Sequence, residues 1–253
     1  MAIDLNSDLG EGFGPWRMGD DGAMLDLVTS ANVACGGHAG DGETMYETLR
    51  LAARRGVVVG AHPGFNDREG FGRRLIPLTT GEVERLIAVQ LGALMAVAAL
   101  AGTRVHYVKP HGALGNHAAD DRPTADAIVR AVKAISGDLA VLAISGTELE
   151  HAARAGGLAV YSEIYADRAY LPTGRLVPRK RDGAMIHDAG EATDRLVRFL
   201  ETGLMPTLDG PAIPLAAHSI CVHGDSAGAV AMARAVREGL TAAGVAIAPF
   251  AGS

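Results

Sequence analysis

The chain predicts an α/β fold in one domain, residues 1–253, with parallel strands arranged in a ring. Three observations carry this expectation. Strand-like and helix-like segments alternate from end to end. Glycine stands where most helical segments stop. Almost every strand candidate runs out into polar residues. Alternation with glycine stops argues a parallel sheet. An open doubly wound sheet gathers its site at one crevice, where the strand order reverses. Polar endings on nearly every strand instead favour a ring, whose strand ends meet at one mouth.

The elements follow in order. Ala2–Ser7 alternates, with Ile3 and Leu5 on one face and Asp4, Asn6 and Asp8 on the other. A short helix around Asp21–Val28 precedes a strand at Thr29–Cys35. Glu43–Arg55 carries Met45, Leu49, Ala52 and Ala53 at helical spacing and stops at Gly56. Val57–Ala61 is a β-branched run. Thr79 and Glu82 form a capping box ahead of an Ala/Leu-rich helix ending near Gly102. Arg104–Lys109 is the next strand, followed by a helix at Asp126–Ile135 and a strand at Leu139–Ile144. Ser145 and Glu148 form a second capping box before a helix that closes at Gly156. Leu158–Ile164 is a strand, Glu191–Glu201 a helix ending at Gly203, and Ser219–Val222 a strand. Ser226–Ala243 is the last long helix, and Val245–Pro249 an eighth strand candidate after seven clearer ones.

Composition narrows the function. The 48% hydrophobic content supports a sizeable core, and the net charge is −6, from 23 basic and 29 acidic residues. No block of five like charges occurs, which disfavours nucleic acid as a partner. Arg179-Lys180-Arg181 after Pro178 reads as a solvated loop rather than a phosphate site. Cys35 and Cys221 are too far apart for a CxxC metal motif and fit a reducing cytosol. The apolar segment Ile87–Ala101, interrupted by Gln90 and Gly92, falls short of the roughly 20 apolar residues of a membrane span. With no basic leader at the N-terminus, the expectation is a cytoplasmic protein.

Polar phrases at six strand ends hold the candidate chemistry. Asp4, Asn6 and Asp8 share a face, and Glu11 in the following turn could reach the same mouth. The competing reading is an exposed edge strand. Asn32 and His38 lie in and after the second strand, in a glycine-rich stretch that lacks the Gly-Lys-Ser/Thr of a phosphate loop. Asp41 reads as the cap of the next helix. His62 follows the third strand, and Gly64–Arg74, with Arg68, Arg73 and Arg74, resembles a lid able to close over an anion. Lys109 and His111 end the fourth strand. A lysine there binds an anion or acts as a base, and an imidazole titrates near neutrality. Glu163, Asp167 and Arg168 follow strand six; His223 and Asp225 follow strand seven, where Asp225 is also placed to cap the last helix. Cys35 and Cys221 read as small buried hydrophobes.

The stretches DLNSDLGEGFG (4–14), NVACGGHAGD (32–41), GAHPGFNDREGFGRR (60–74), VKPHGAL (108–114), EIYADRAY (163–170) and ICVHGD (220–225) resemble the LamB/YcsF family along essentially the whole chain. The resemblance implies a distorted seven-stranded barrel similar to the polysaccharide deacetylase and glycoside hydrolase-like folds. It also implies the ATP-coupled opening of 5-oxo-L-proline to L-glutamate, together with two partners, 5-oxoprolinase subunits B and C. The chain has no Walker motif, so ATP would be bound by, or shared with, those partners.

Under this reading the catalytic residues are Asp8, His38, His62, Lys109 and His111. Lys109 neutralises a carboxylate or phosphate, a histidine supplies acid/base catalysis, and Asp8 orients an imidazole or the attacking water. Asp4, Asn6, Asn32, Arg73, Glu163, Arg168, His223 and Asp225 would bind substrate. Gly115 stands where the family typically has Tyr, which implies an altered pocket wall. Two alternatives accompany this reading. In one, Asp8, His38 and His62 hold a divalent metal for ATP-independent amide hydrolysis or deacetylation. In the other, the chain is a non-catalytic subunit for binding a small carboxylate or for assembly.

Overall fold

The computed structural model describes residues 2–225 and 228–251. The chain begins with β1 (Ala2–Leu9), α1 (Asp21–Leu25), β2 (Ser30–Ala34), α2 (Gly42–Arg55), β3 (Val58–His62) and α3 (Thr80–Leu100). It continues through β4 (Val105–Val108), α4 (Gly112–Asp120), α5 (Arg122–Ile135), β5 (Ala140–Ile144), α6 (Glu148–Ala155) and β6 (Val160–Tyr165). It ends with α7 (Ala189–Thr202), β7 (Leu204–Met205), β8 (Ile213–Pro214), β9 (Ser219–Cys221), α8 (Ala229–Ala242) and β10 (Ala246–Ile247).

The strands β1-β2-β3-β4-β5-β6-β9 pair in parallel, and β9 returns to β1 through Asp4↔Ser219, Leu5↔Ile220 and Asn6↔Cys221. This is the expected ring, closed with seven strands. Closure leaves the ring no unpaired edge. The eighth candidate, β10, pairs only with the first residues of β1, Ala2↔Ala246 and Ile3↔Ile247, and stays outside the ring. The ribbon of β7 and β8, antiparallel and two residues a side, has no counterpart among the sequence-based expectations.

The apolar residues of the strands face outward to the helices, where Ile3, Leu5, Val33, Val59, Ile87, Leu91, Val132 and Ile164 form the main core. The ring interior is polar: Asp4, Asn6, Asp8, Asn32 and Glu163 are all buried. The edge-strand reading of the first strand therefore fails, since every residue from Ile3 to Leu9 is buried. A second apolar cluster of Val58, Tyr107, Ala140 and Leu142 closes the N-terminal end of the ring. There Phe250 sits as a plug, its ring 4.9 Å from Tyr107 and 4.6 Å from Tyr161. Gly60 is required here, because a Cβ at that position would overlap the Tyr107 ring.

Several local expectations are corrected. The cap of α6 is Thr147, which accepts from the Glu150 backbone, rather than the Ser145 and Glu148 pair. Gly228 caps α8 and Asp225 does not; the expected first residue of that helix, Ser226, lies outside the described residues. The capping box of Thr79 and Glu82 and the cap at Asp41 are as read from the sequence. α3 runs for 21 apolar-rich residues, long enough to cross a membrane by length and composition. Here it lies on the barrel, with Val83, Ile87, Leu91, Leu94 and Ala98 buried.

Candidate functional site

Because alternate residues of a strand face the same side, β1 sends Asp4, Asn6 and Asp8 into the ring at three successive heights. Each height has its own partners. At the floor, Asp4 accepts from Thr29 Oγ1 and Ser30 Oγ, both at 2.6 Å, and from Ser219. Burial outweighs these hydroxyls and raises the Asp4 carboxyl to about 6. One layer up, Asn6 Nδ2 donates to Glu163 (2.9 Å) and Ser219 (2.6 Å), while its Oδ1 accepts from Asn32 (2.6 Å). Tyr107 donates its hydroxyl to Asn32 Oδ1 at 2.6 Å.

Asp8 and Lys109 form the top layer. The Lys109 ammonium, at the end of β4, lies 2.8 Å from Glu163 and 3.0 Å from Asp8, with Cys221 Sγ at 3.1 Å. A buried ammonium survives only with such partners. Burial would lower its pKa, but Asp8, Cys221 and Glu163 hold it well above the usual lysine range. Burial likewise favours a protonated Asp8, but the charges of His62 and Lys109 override it and keep that carboxylate ionised.

Above this layer three imidazoles meet. His62 Nδ1 lies 2.7 Å from the Lys109 carbonyl, and His111 Nε2 lies 2.8 Å from the Phe71 carbonyl. Carbonyl oxygens only accept, so each of these nitrogens carries hydrogen. Two neutral rings would then leave bare His62 Nε2 and His111 Nδ1 facing one another at 2.9 Å. A hydrogen shared between the two nitrogens, or a cation bound by both, removes the conflict. Asp8 lies 3.5 Å from the same His62 nitrogen. Burial, and then the His62 charge, keep His111 neutral. His38 stacks on His111 at 3.6 Å, and its Nε2 lies 3.2 Å from Glu11. Burial and the nearby Asp8 raise the Glu11 carboxyl well above its ordinary range.

Across the mouth, His223 Nδ1 lies 2.8 Å from Asp167, and the ring packs on Tyr165. Asp167 thereby holds a hydrogen on Nδ1 and orients the ring, and among the described residues Nε2 has no hydrogen-bond partner. Asp167 stays low because His223 outweighs its burial.

These groups open onto a cavity of about 550 Å³. Of the expected site residues, Asp8, His62, Arg73, Lys109, His111, Glu163, Arg168 and His223 line it. His38 lies behind His111. Asp4, Asn6 and Asn32, expected to touch substrate, sit beneath the top layer, where their hydrogen bonds go to the barrel itself. Asp225 stands at the rim, bonded to Arg73 at 2.5 Å.

The segment Gly64–Arg74 is no free lid. Phe65 is buried, Gln90 brackets Gly64 through both its backbone groups, and the Phe71 carbonyl accepts from His111. At Gly115 a Cβ would meet the Pro110 carbonyl at 2.6 Å, so this backbone has no room for a side chain there. Arg179, Lys180 and Arg181 are exposed in a turn, as read from the sequence, and the first two also border the cavity. Tyr165 joins the site beyond the residues the sequence nominated, and Asp167, noted after strand six without a role, proves to orient His223.

One group of ligand atoms suits a cation. Atoms of Glu11, His38, His62 and His111 all lie within 4.8 Å of one another. The donor set of imidazoles and a carboxylate fits a divalent transition metal, with backbone carbonyls holding the outer nitrogens of two ligands. Asp8, expected among the ligands, is taken up by Lys109 and Asn32.

Known proteins similar to this chain agree with one another. The LamB/YcsF family matches residues 3–253. The 5-oxoprolinase A-subunit of Rhodopseudomonas palustris (strain BisA53) is 51% identical over 251 residues, 99% of this chain and 98% of that one. A lactam utilization protein from Thermus thermophilus, known from its crystal structure, is 44% identical and superposes with a TM-score of 0.93 over 99% of this chain and 100% of that one. A T48 deacetylase solved with substrate is 13% identical at a TM-score of 0.51, over 97% of this chain and 86% of that one, and shares the fold alone.

Proposed function

The chain belongs to the LamB/YcsF family, and from that premise we propose that it opens the lactam of 5-oxo-L-proline to L-glutamate, coupled to ATP hydrolysis, with partner subunits B and C. One observation carries the catalytic part: two imidazole systems with different partners share one cavity. His62 meets His111 at 2.9 Å beside Asp8, an arrangement suited to holding and delivering a proton, while His223 is oriented by Asp167 through Nδ1, which suits its other nitrogen to take one. Hydrolysis of an amide needs both, a base for water and an acid for the leaving nitrogen.

His223 Nε2 takes a proton from water as its oxygen bonds to the ring carbonyl carbon. The carbon–nitrogen bond then breaks, and the His62 proton passes to the departing nitrogen. Lys109, its charge matched by Asp8 and Glu163, steadies the developing oxyanion or the substrate carboxylate through its N–H groups. A lactam is an unactivated amide, and transfer of the γ-phosphoryl group of ATP to its carbonyl oxygen makes that carbon more open to attack; the carbon–nitrogen break then leaves an acyl phosphate, which a second water splits into L-glutamate and inorganic phosphate. In this reading the partners hold ATP. The protein works in the cytoplasm, where Cys35 and Cys221 remain thiols.

The test is reconstitution with subunits B and C, assaying glutamate release from 5-oxoproline with each component omitted in turn. Asp167→Asn is expected to lower kcat about 100-fold or more, because His223 loses its tautomer, with assembly intact. Full turnover in that variant would sink this assignment and favour the assembly role.

A second reading rests on the same short nitrogen–nitrogen contact. A divalent metal in place of the shared proton would be held by Glu11, His38, His62 and His111. It would supply Lewis acidity and lower the pKa of a water molecule. Metal analysis and Mn²⁺ titration of the isolated chain separate the two. One ion per chain, lost in His62→Gln, selects the metal, and failure to bind any selects the proton.

A further inference from the structure

We propose that the outer wall of the cavity is a phosphoryl-binding subsite built on Arg168, Arg179 and Lys180. Most other cations lining the cavity are already matched. Lys109 is paired with Asp8 and Glu163, Arg73 with Asp225, and Arg175 with Asp120. Arg168, Arg179 and Lys180 line the same cavity without a carboxylate partner among the described residues. The nearest candidate, Asp167, is spent on His223.

Arg168 is the informative member. It is only 5% exposed, yet its one hydrogen bond among the described residues is from Nη2 to the Val177 carbonyl, and its Nε is buried without a partner. A buried guanidinium with spare donors is costly until an anion takes them. Burial and the adjacent Arg179 both press its pKa downward, the strain a bound anion would relieve.

The wall is built in. Arg175 fastens its segment through Asp120 (2.5 Å), the Ala119 carbonyl (3.0 Å) and the Gly146 carbonyl (3.1 Å). The Val177 backbone then donates to Ala169 at 2.9 Å, which sets Arg179 and Lys180 beside Arg168. Three unmatched cations suit a multiply charged tetrahedral group better than a single carboxylate. A small lactam acid fills only part of the cavity, and its ring would lie toward Lys109.

The subsite deepens the lactam reading and rests on it for the molecule that carries the phosphoryl group. That molecule is the activated lactam, entering with its phosphoryl group turned to the Arg168 wall. The experiment titrates the isolated chain by calorimetry with inorganic phosphate, acetyl phosphate as an acyl phosphate, a non-hydrolysable ATP analogue and 5-oxoproline. Phosphate and acetyl phosphate are expected to bind competitively. The exposed double variant Arg179→Ser/Lys180→Ser, checked for an unchanged Tm, is expected to weaken both at least tenfold, and Arg168→Lys to weaken them too.

Tighter binding of acetyl phosphate than of the nucleotide assigns the group to a phosphorylated acid; the reverse order assigns it to the nucleotide and overturns the activated-lactam source. No phosphate binding at millimolar concentration, or binding unchanged in the double variant, overturns the subsite. If the variant loses phosphate but the reconstituted wild-type complex never opens 5-oxoproline, the subsite stands and the lactam reading falls.

Discussion

Lys109 shows at the scale of one residue how the ring interior holds together. Its ammonium is the only counter-charge that Glu163 contacts within ion-pair distance among the described residues, and it shares Asp8 with His62. Lys109→Met would strand Glu163 in the interior. The expected loss is about 3–5 kcal/mol, read as a lower urea midpoint, together with loss of turnover. Asp4 makes a different prediction. Its carboxyl moves from 3.8 to about 6 on folding, so the folded chain holds that proton more tightly. It therefore stabilises at acid pH and loses that contribution as pH rises through about 6. His38 and His111, held neutral by burial, act oppositely and lose their contribution as pH falls below the ordinary imidazole range. The checkable quantity is thus a difference. From about pH 5 to about pH 7, Asp4→Asn should gain about 1 kcal/mol relative to the unsubstituted chain in urea unfolding. Period-2 alternation makes the inward face of Asp4, Asn6 and Asp8 legible in the sequence. The partners are not legible, because Lys109, Glu163 and Cys221 meet only when the ring closes. That Arg179 and Lys180 border the cavity is hidden for a similar reason. Their position depends on the tie between Arg175 and Asp120, which no local pattern announces.

Elements are legible where capping chemistry and periodicity agree. Asp41 and the Thr79/Glu82 box start their helices as read, and Gly56 and Gly203, with φ of 66° and 71°, end theirs in the left-handed conformation. α4 escapes notice because it follows Pro110 and begins at Gly112, and its Gly-Ala-Leu-Gly-Asn start has a weak helical preference. Only the docking of Leu114 and Ala118 into the core secures it. β3 illustrates a constraint of the opposite kind. Gly60 lies against the ring of Tyr107, whose hydroxyl bonds Asn32 in the neighbouring strand. Gly60→Ala should therefore push Tyr107 off its partner and cost about 1–3 kcal/mol by urea unfolding. The double variant Gly60→Ala/Tyr107→Leu should recover part of that loss by making room.

For the whole molecule, the plug at the base separates stability from chemistry. Phe250 packs against Tyr107 and Tyr161 at the end of the ring away from the cavity, and it does not line that cavity. Phe250→Ala is expected to lower the urea midpoint, by about 2–3 kcal/mol for a partly buried ring, while KM for the lactam stays unchanged. The closed ring is legible as a class, since polar strand endings all around imply one mouth. The place of β10 beside the ring is not, because two paired residues leave no pattern distinct from a strand that belongs to it. Closure between β1 and β9 has a further consequence for biosynthesis. The Ser219 hydroxyl that caps the Asp4 carboxylate leaves the ribosome 215 residues after it. Until then the inward face of the opening strand has no dry place to go. A nascent chain must keep it wetted, or guarded by a chaperone, and the barrel can seal only once β9 has been made.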